Sequence, residues 1–260
     1  MNKELTKKTI EYLLDVFLNA GKISIDLREK GLIKEYKSDN TPVTNGDLEV
    51  NKILTSEINK ITPNIPIVSE ESSKNKKNEK LKNFWLIDPI DGTYDYINGK
   101  DEFTLNAGLI IDKKPFAGII YAPAKKRLFF STGYNESFEV INGKNKKLNC
   151  EKKTKKGVIK AVSYSEKLKS EIKEHHKKFG VTEYKRMKSS LKFCVIAAGE
   201  YDLYVAEARA CEWDISAGHA ILLNSGGIIT DFEQNEILYG KKDFKNPSLI
   251  LKRSSVVYEW

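Results

Sequence analysis

Residues 84–93 read FWLIDPIDGT, and this stretch constrains the fold more than any other part of the 260-residue chain. Its first four residues are aromatic or aliphatic, too short a run for a helix and suited to a strand buried on both faces. Pro89 and Gly92 break the run where Asp88 and Asp91 appear, so both carboxylates stand at a strand end. Pro89 stiffens the link between them and Gly92 permits a tight backbone approach, which lets the two acids converge on one small volume. Converging carboxylates repel unless cations lie between them, and hard ions such as Mg²⁺ prefer all-oxygen ligands. The Ile90 carbonyl lies between the two acids as a further oxygen. The amides of Gly92 and Thr93, at what reads as a helix start or turn, suit a phosphate oxygen. The same composition is common in plain turns after strands, so the dyad alone leaves a turn without chemistry equally open.

Around this strand the hydrophobic period alternates. Spacings of three and four among Ile10, Leu13, Leu14, Phe17 and Leu18 predict a long amphipathic helix from about Lys3 to Lys30, closed near Gly31. A second helix is expected from about Asn45, with Leu48, Ile53, Leu54 and Ile58 facing inward and Pro63 ending it. IPIVSEES reads as a short strand running into an acidic turn. From Phe103 to about Val140, period-two patterning with turns at DKKP, APAKK and TGYN predicts antiparallel hairpins. A lysine-rich stretch at 144–156 then gives the boundary between two halves, 1–150 and 151–260, of one compact unit. The second half is expected to hold a strand in GVIKAVSYS, a polar helix over about Glu166 to Phe179 and an apolar helix around Leu191 to Ala198. A strand DLYVA and a helix opening near Asp214 follow. Interleaved strands and helices imply an α/β or α+β architecture.

More acids stand at element ends. Glu70 and Glu71 close the neighbouring apolar strand, Asp47 opens the second helix, and Asp214 follows Trp213 at another helix start. Asp47 and Asp214 could each be a simple complement to a helix N-terminus, but their occurrence together with the strand-end dyad favours an oxygen-only site. The net charge of +8 comes largely from SSKNKKNEKLKN (72–83) and GKNKKLNCEKKTKKG (143–157), which read as solvated loops. Neither interleaves aromatics with its lysines, and no nucleic-acid-binding signature accompanies them. No run approaches the roughly 20 apolar residues of a membrane helix, and the charged amphipathic opening is unlike a signal peptide, so the cytoplasm is the expected compartment. Cys150, Cys194 and Cys211 are odd in number and far apart, which suits neither a disulfide framework nor a zinc site. His175 and His176 are expected on a solvent face, and His219 in the core or behind the site.

WLIDPIDGT (85–93) and WDISAGHAI (213–221), with IVSEES (67–72) and KSDNTPVTNGD (37–47) in the same order, resemble a known family. It is that of the lithium-sensitive, magnesium-dependent phosphatases, which include inositol monophosphatase, fructose-1,6-bisphosphatase and the 3'(2'),5'-bisphosphate nucleotidases. The resemblance covers nearly the whole chain. KSDNTPVT, EFTLNAGLI (102–110) and SSLKFCVIAAG (189–199) are most similar to the bacterial CysQ-type nucleotidase branch.

The resemblance implies a layered αβαβα sandwich with two or three Mg²⁺ held between the halves. It assigns Glu70, Asp88 and the Ile90 carbonyl to a first metal, and Asp88, Asp91 and Asp214 to a second. Asp47 and Thr93, with Glu70, would orient and deprotonate the attacking water, and Glu71 would position a further water or ion. Ile90, Asp91, Gly92 and Thr93 would cradle the scissile phosphate, with Glu70 and Asp214 lining the substrate. Lys192 is the candidate for a remote phosphate, with Lys188 and Arg209 as alternatives. Three places depart from the branch's usual wording: Lys188, the run Tyr94-Asp95-Tyr96, and VAEARACE (205–212). They spare every proposed ligand and touch the region that would meet the rest of the substrate.

The implied reaction is hydrolysis of the 3'-phosphate of adenosine 3',5'-bisphosphate to AMP and phosphate. An inositol monophosphatase or broad sugar phosphatase is the alternative. A non-catalytic nucleotide-binding regulator is the reading from another class, and the intact carboxylates speak against it because converging charges are costly. The expected partner is a phosphorylated small molecule and no nucleic acid, the expected assembly a monomer or homodimer. The protein would be free in the cytoplasm or resting on the inner membrane surface.

Overall fold

A computed structural model of the chain describes residues 2–37, 40–75, 81–151 and 157–257. The first helix, α1 (Lys3–Lys30), starts where the Asn2 side chain accepts the Leu5 amide at 2.8 Å and stops at Gly31, whose φ of 99° an L side chain rarely adopts. A short antiparallel pair, β1 (Lys34–Tyr36) and β2 (Pro42–Thr44), leads into α2 (Asn45–Ile61). Then come β3 (Ile67–Ser69), a 3₁₀ turn at Glu70–Asn75, β4 (Phe84–Asp91), α3 (Thr93–Ile97) and five strands joined by hairpins. These are β5 (Thr104–Ile111), β6 (Lys114–Ala122), β7 (Arg127–Gly133), β8 (Glu136–Ile141) and β9 (Lys144–Lys147). Strands β3 to β9 form one seven-stranded sheet in chain order, parallel at β3–β4 and antiparallel elsewhere.

The rest of the chain gives β10 (Ile159–Ser163), α4 (Ser170–Lys178), β11 (Val181–Arg186), α5 (Leu191–Ala197), β12 (Leu203–Ala206), α6 (Glu212–Leu223), β13 (Gly227–Thr230) and β14 (Leu249–Arg253). Its five strands are ordered β11-β10-β12-β14-β13.

Strand alternation sorts the core into layers. On β4, Trp85 and Ile87 pack with Ile10, Leu13 and Phe17 of α1 and Val50, Leu54 and Ile58 of α2. Phe84 and Leu86 point the other way, into a cluster with Phe193 and Val195 of α5 and Ile215 and Ile221 of α6. That cluster continues to Tyr204 and Leu251 of the second sheet, whose opposite face packs Leu203 and Ile250 against Ile172 and Phe179. The layers are therefore α1/α2, the larger sheet, α5/α6, the smaller sheet and α4, an αβαβα sandwich. Helix α6 lies unusually close to the larger sheet. A Cβ at Gly118 would meet Ala217 Cα at 2.8 Å, and one at Gly108 would run into Ser216.

Some expectations are corrected. Leu48 is 48% exposed and Val50 takes its place in the core, because α2 buries a face rotated from the one expected. Leu18 of α1 is also exposed. Residues 144–147 of the second lysine-rich run form β9, an exposed edge strand whose lysines suit a sheet margin. Residues 76–80 and 152–156 of the two runs, and Ser38-Asp39, lie outside the described residues. The polar helix begins at Ser170, four residues late. Its His175 and His176 are buried, not on a solvent face: His175 lies against the Phe232 ring at 4.2 Å and His176 against Tyr184 at 5.8 Å.

Candidate active site

Strand β4 delivers its acids through a local irregularity. Asp88 pairs in register with Asn106 and Asp91 with Thr104, so Pro89 and Ile90 bulge out between them. Proline has no amide to lose at that position, and the bulge turns the acids toward one cleft. Gly92 (φ 95°) then reverses the chain into α3, and a Cβ there would lie 2.8 Å from the Glu102 carbonyl. The cleft, about 510 Å³, is lined by Glu70, Asp88, Ile90, Asp91, Gly92, Thr93 and Asp214, among others.

Asp47 and Asp214 reach the site by the same device. Each is the third residue of a helix, and its Oδ2 accepts the amide of the residue before that helix: Thr44 N at 2.8 Å and Cys211 N at 2.8 Å. The other oxygen of Asp47, Oδ1, accepts the Thr93 hydroxyl at 3.2 Å. That hydroxyl also lies 3.1 Å from the Ile90 carbonyl oxygen. The helix-capping reading of these acids is thus realised with one oxygen of each.

The acids lie where charge is costly. Asp88 Oδ1 is buried without a hydrogen-bond partner. Burial, then Glu70 and Asp91, push the Asp88 carboxyl well above the usual range. Burial, then Asp91 and Glu70, push Asp214 up to about 8. Asp47 is raised chiefly by burial. Among the described residues no three acidic, His or Cys side chains are already gathered into a metal cluster. Glu70 is instead drawn to Lys37, whose Nζ lies 2.8 Å from Glu70 Oε1 and 2.8 Å from Glu71 Oε1.

Lys37 was missed by motif reasoning, although it opens the KSDNTPVTNGD segment beside the acids it neutralises. Ser190 and Asn106 were missed too. Ser190 Oγ sits 2.6 Å from Asp91 Oδ2 and 2.7 Å from the Asp214 carbonyl oxygen, and accepts Asn106 Nδ2 at 3.2 Å. It ties β4 to α6 across the cleft.

A second cavity of about 80 Å³ adjoins the first and shares Asp91, Arg209 and Asp214 with it. Lys192 lines it from α5, buried, with Nζ donating to the Ser189 carbonyl and 5.3 Å from the Tyr204 ring. Burial pushes its ammonium down to about 8. Lys188 is engaged elsewhere, with Nζ 2.9 Å from Asp95 of α3. His219 is a core residue, its Nδ1 3.0 Å from the Tyr239 hydroxyl. The three cysteines are free.

Known proteins repeat both the fold and the sequence. A 3'(2'),5'-bisphosphate nucleotidase CysQ from Buchnera aphidicola is 32% identical over 236 residues, 90% of this chain and 88% of that protein. The protein of the same name from Escherichia coli K12 is 30% identical over 81% of this chain and 85% of its own length. The crystal structure of CysQ from Bacteroides thetaiotaomicron, 25% identical, superposes with a TM-score of 0.77 over 97% of this chain and 99% of that one. A Thermotoga maritima IMPase, 22% identical, has the same fold at a TM-score of 0.76 over 95% and 92%. The sequence pattern described as the inositol monophosphatase family matches residues 2–259. With that match over nearly its whole length and the acids of β4 and α6 lining one cleft of this fold, the chain belongs to the inositol monophosphatase family of phosphatases.

Proposed function

We propose that the protein is a magnesium-dependent phosphomonoesterase that removes the 3'-phosphate of adenosine 3',5'-bisphosphate, giving AMP and phosphate. The observation that carries the chemistry is the all-oxygen set Glu70, Asp88, Asp91 and Asp214 lining one cleft, with Asp88 buried and its Oδ1 unpartnered. The family is metal-dependent, typically on Mg²⁺. The donors present fit such a cation, because its charge would offset the burial, and the lesser repulsion, that drive two of these acids toward protonation. Glu70, Asp88 and the Ile90 carbonyl would hold one ion, and Asp88, Asp91 and Asp214 another. Bound there, Mg²⁺ supplies charge that stabilises a phosphoryl transition state and acidifies water.

The chain's own groups do the rest. Thr93 Oγ1, by donating to Asp47 Oδ1, turns its lone pairs to the cleft, where one accepts a proton from the attacking water as its own passes to Asp47. Burial, which raises the Asp47 pKa, makes it a better base. The Gly92 and Thr93 amides open α3 toward the phosphate oxygens. Lys37 must release Glu70 as the site fills. Lys192, buried at the second cavity, is the donor for the 5'-phosphate. Residues 1–150 and 151–260 act as one catalytic unit, a reading supported by the core that runs unbroken from one sheet to the other through α5 and α6.

The nucleotide reading rests on the CysQ relatives, which are named for that activity. Phosphate release from adenosine 3',5'-bisphosphate, inositol 1-phosphate and fructose 1,6-bisphosphate tests it directly. The bisphosphate nucleotide is expected to be the best of the three, with turnover abolished by a chelator and inhibited by Li⁺. Preference for inositol phosphate would replace the substrate while leaving the chemistry, and full turnover in a chelator would overturn the chemistry.

A further inference from the structure

The guanidinium of Arg209 lies 3.5 Å from the centroid of the Tyr164 ring, within van der Waals stacking distance. Both residues are exposed. Arg209 contributes to three adjoining cavities: the carboxylate cleft, the Lys192 cavity, and a third of about 320 Å³ beyond Tyr164 and Tyr204. Among the described residues it makes no ion pair with a carboxylate, although acids lie on every side of this region. Lys192 and Lys188 each approach Tyr164 at 6.0 Å, so other cations already serve this corner.

An arginine fixed on an aromatic ring has one planar face occupied and the other free, a platform on which a flat π-system can lie. We propose that the Tyr164–Arg209 pair is the stacking platform for the base of a nucleotide whose phosphates occupy the carboxylate cleft and the Lys192 cavity. The inference rests on the nucleotide reading and adds to it a role for the plane of Arg209, as distinct from its charge. The ring holds the guanidinium, and the guanidinium carries the base. Every base has a π-face, so the platform distinguishes base-bearing from base-free ligands and is tolerant among bases.

The test uses Tyr164→Phe, Tyr164→Leu, Arg209→Lys and the wild type, with adenosine 3',5'-bisphosphate against ribose 3,5-bisphosphate as substrates. AMP against ribose 5-phosphate, titrated calorimetrically with Mg²⁺ present, gives a binding readout without turnover. The wild type is expected to favour the base-bearing member of each pair by about tenfold or more, the size of one stacked base. Arg209→Lys, which keeps the charge and loses the plane, and Tyr164→Leu should lose most of that preference, while Tyr164→Phe keeps it. Retention of the preference by Arg209→Lys would reduce Arg209 to a point charge and overturn the proposal. A wild type indifferent to the base would overturn it as well. The nucleotidase reading would survive either result if adenosine 3',5'-bisphosphate remained a better substrate than inositol 1-phosphate, so the two failures are separable.

Discussion

At the scale of single residues, Asp47 and Asp214 each commit one oxygen to the start of a helix, and substitutions test the proposed chemistry of the acids around them. If Asp91 and Asp214 hold a cation as proposed, Asp91→Asn and Asp214→Asn are each expected to lower kcat by several orders of magnitude, because loss of that ligand removes several kcal/mol of transition-state stabilisation. Thr93→Ala removes the hydroxyl that donates to Asp47 and, in the proposed proton relay, should cost about 10²–10⁴ in kcat. His176→Ala, on a helix at the far face of the smaller sheet, should leave kcat unchanged. Steady-state phosphate release on the four variants checks the order. Ser190→Ala should act on metal rather than on chemistry: it removes the hydroxyl 2.6 Å from Asp91 Oδ2 and is expected to weaken Mg²⁺ activation by about 10–100-fold. A magnesium titration of activity, with saturating kcat recovered, is the outcome that fits.

At the scale of elements, α6 carries Asp214 and is held against the larger sheet by glycines rather than by side chains. Gly118→Ala would push a methyl to 2.8 Å from Ala217 Cα, so it should cost about 1–3 kcal/mol of stability and displace the start of the helix. A lowered thermal midpoint together with a raised magnesium requirement is expected, whereas a stability loss alone would show that the helix tilts about Asp214. The helices, β4 and the hairpins from Phe103 onward were legible in the sequence because each has a clean period and a marked end. Helix α1 matched from Lys3 to Gly31, and the turns at DKKP, APAKK and TGYN fell between strands. What escaped was set by tertiary context. β9 and β11 are lysine-bearing strands whose residues stay largely exposed, so they carry little apolar alternation. His175 and His176 look solvated in a Lys/Glu-rich helix and are buried only because Phe232 and Tyr184 come from elsewhere. The motifs pointed to the acids, but Lys37, Ser190 and Asn106 needed the fold, since only packing shows which neutral or cationic group faces a carboxylate.

At the scale of the whole molecule, the buried acids couple stability to pH and to cation. Asp214 has its carboxyl raised from 3.8 to about 8, and Asp88 is raised as well, so the folded chain holds protons that the unfolded chain releases. Their penalty grows as pH climbs from about 4 through 8. His219, pushed down from 6.5 to about 3 by burial, and the lowered His175 and His176 act in the opposite sense and stop contributing above about 6.5. Chelator-treated protein is therefore expected to lose thermal stability between pH 6.5 and 8, and Mg²⁺ to remove that fall. A midpoint independent of pH over this window, with and without Mg²⁺, would mean that burial and neighbouring acids do not raise these carboxyls. Among the described residues no helix is long and apolar enough to cross a membrane. The two capped acids, finally, offer a way to watch the site from its backbone. The Thr44 amide in one half donates to Asp47, which holds the Thr93 hydroxyl, and the Cys211 amide in the other donates to Asp214, which lines the cleft. Their ¹⁵N–¹H resonances are natural sensors, one on each wall, and a single magnesium titration followed by NMR would read the order in which the two walls are loaded.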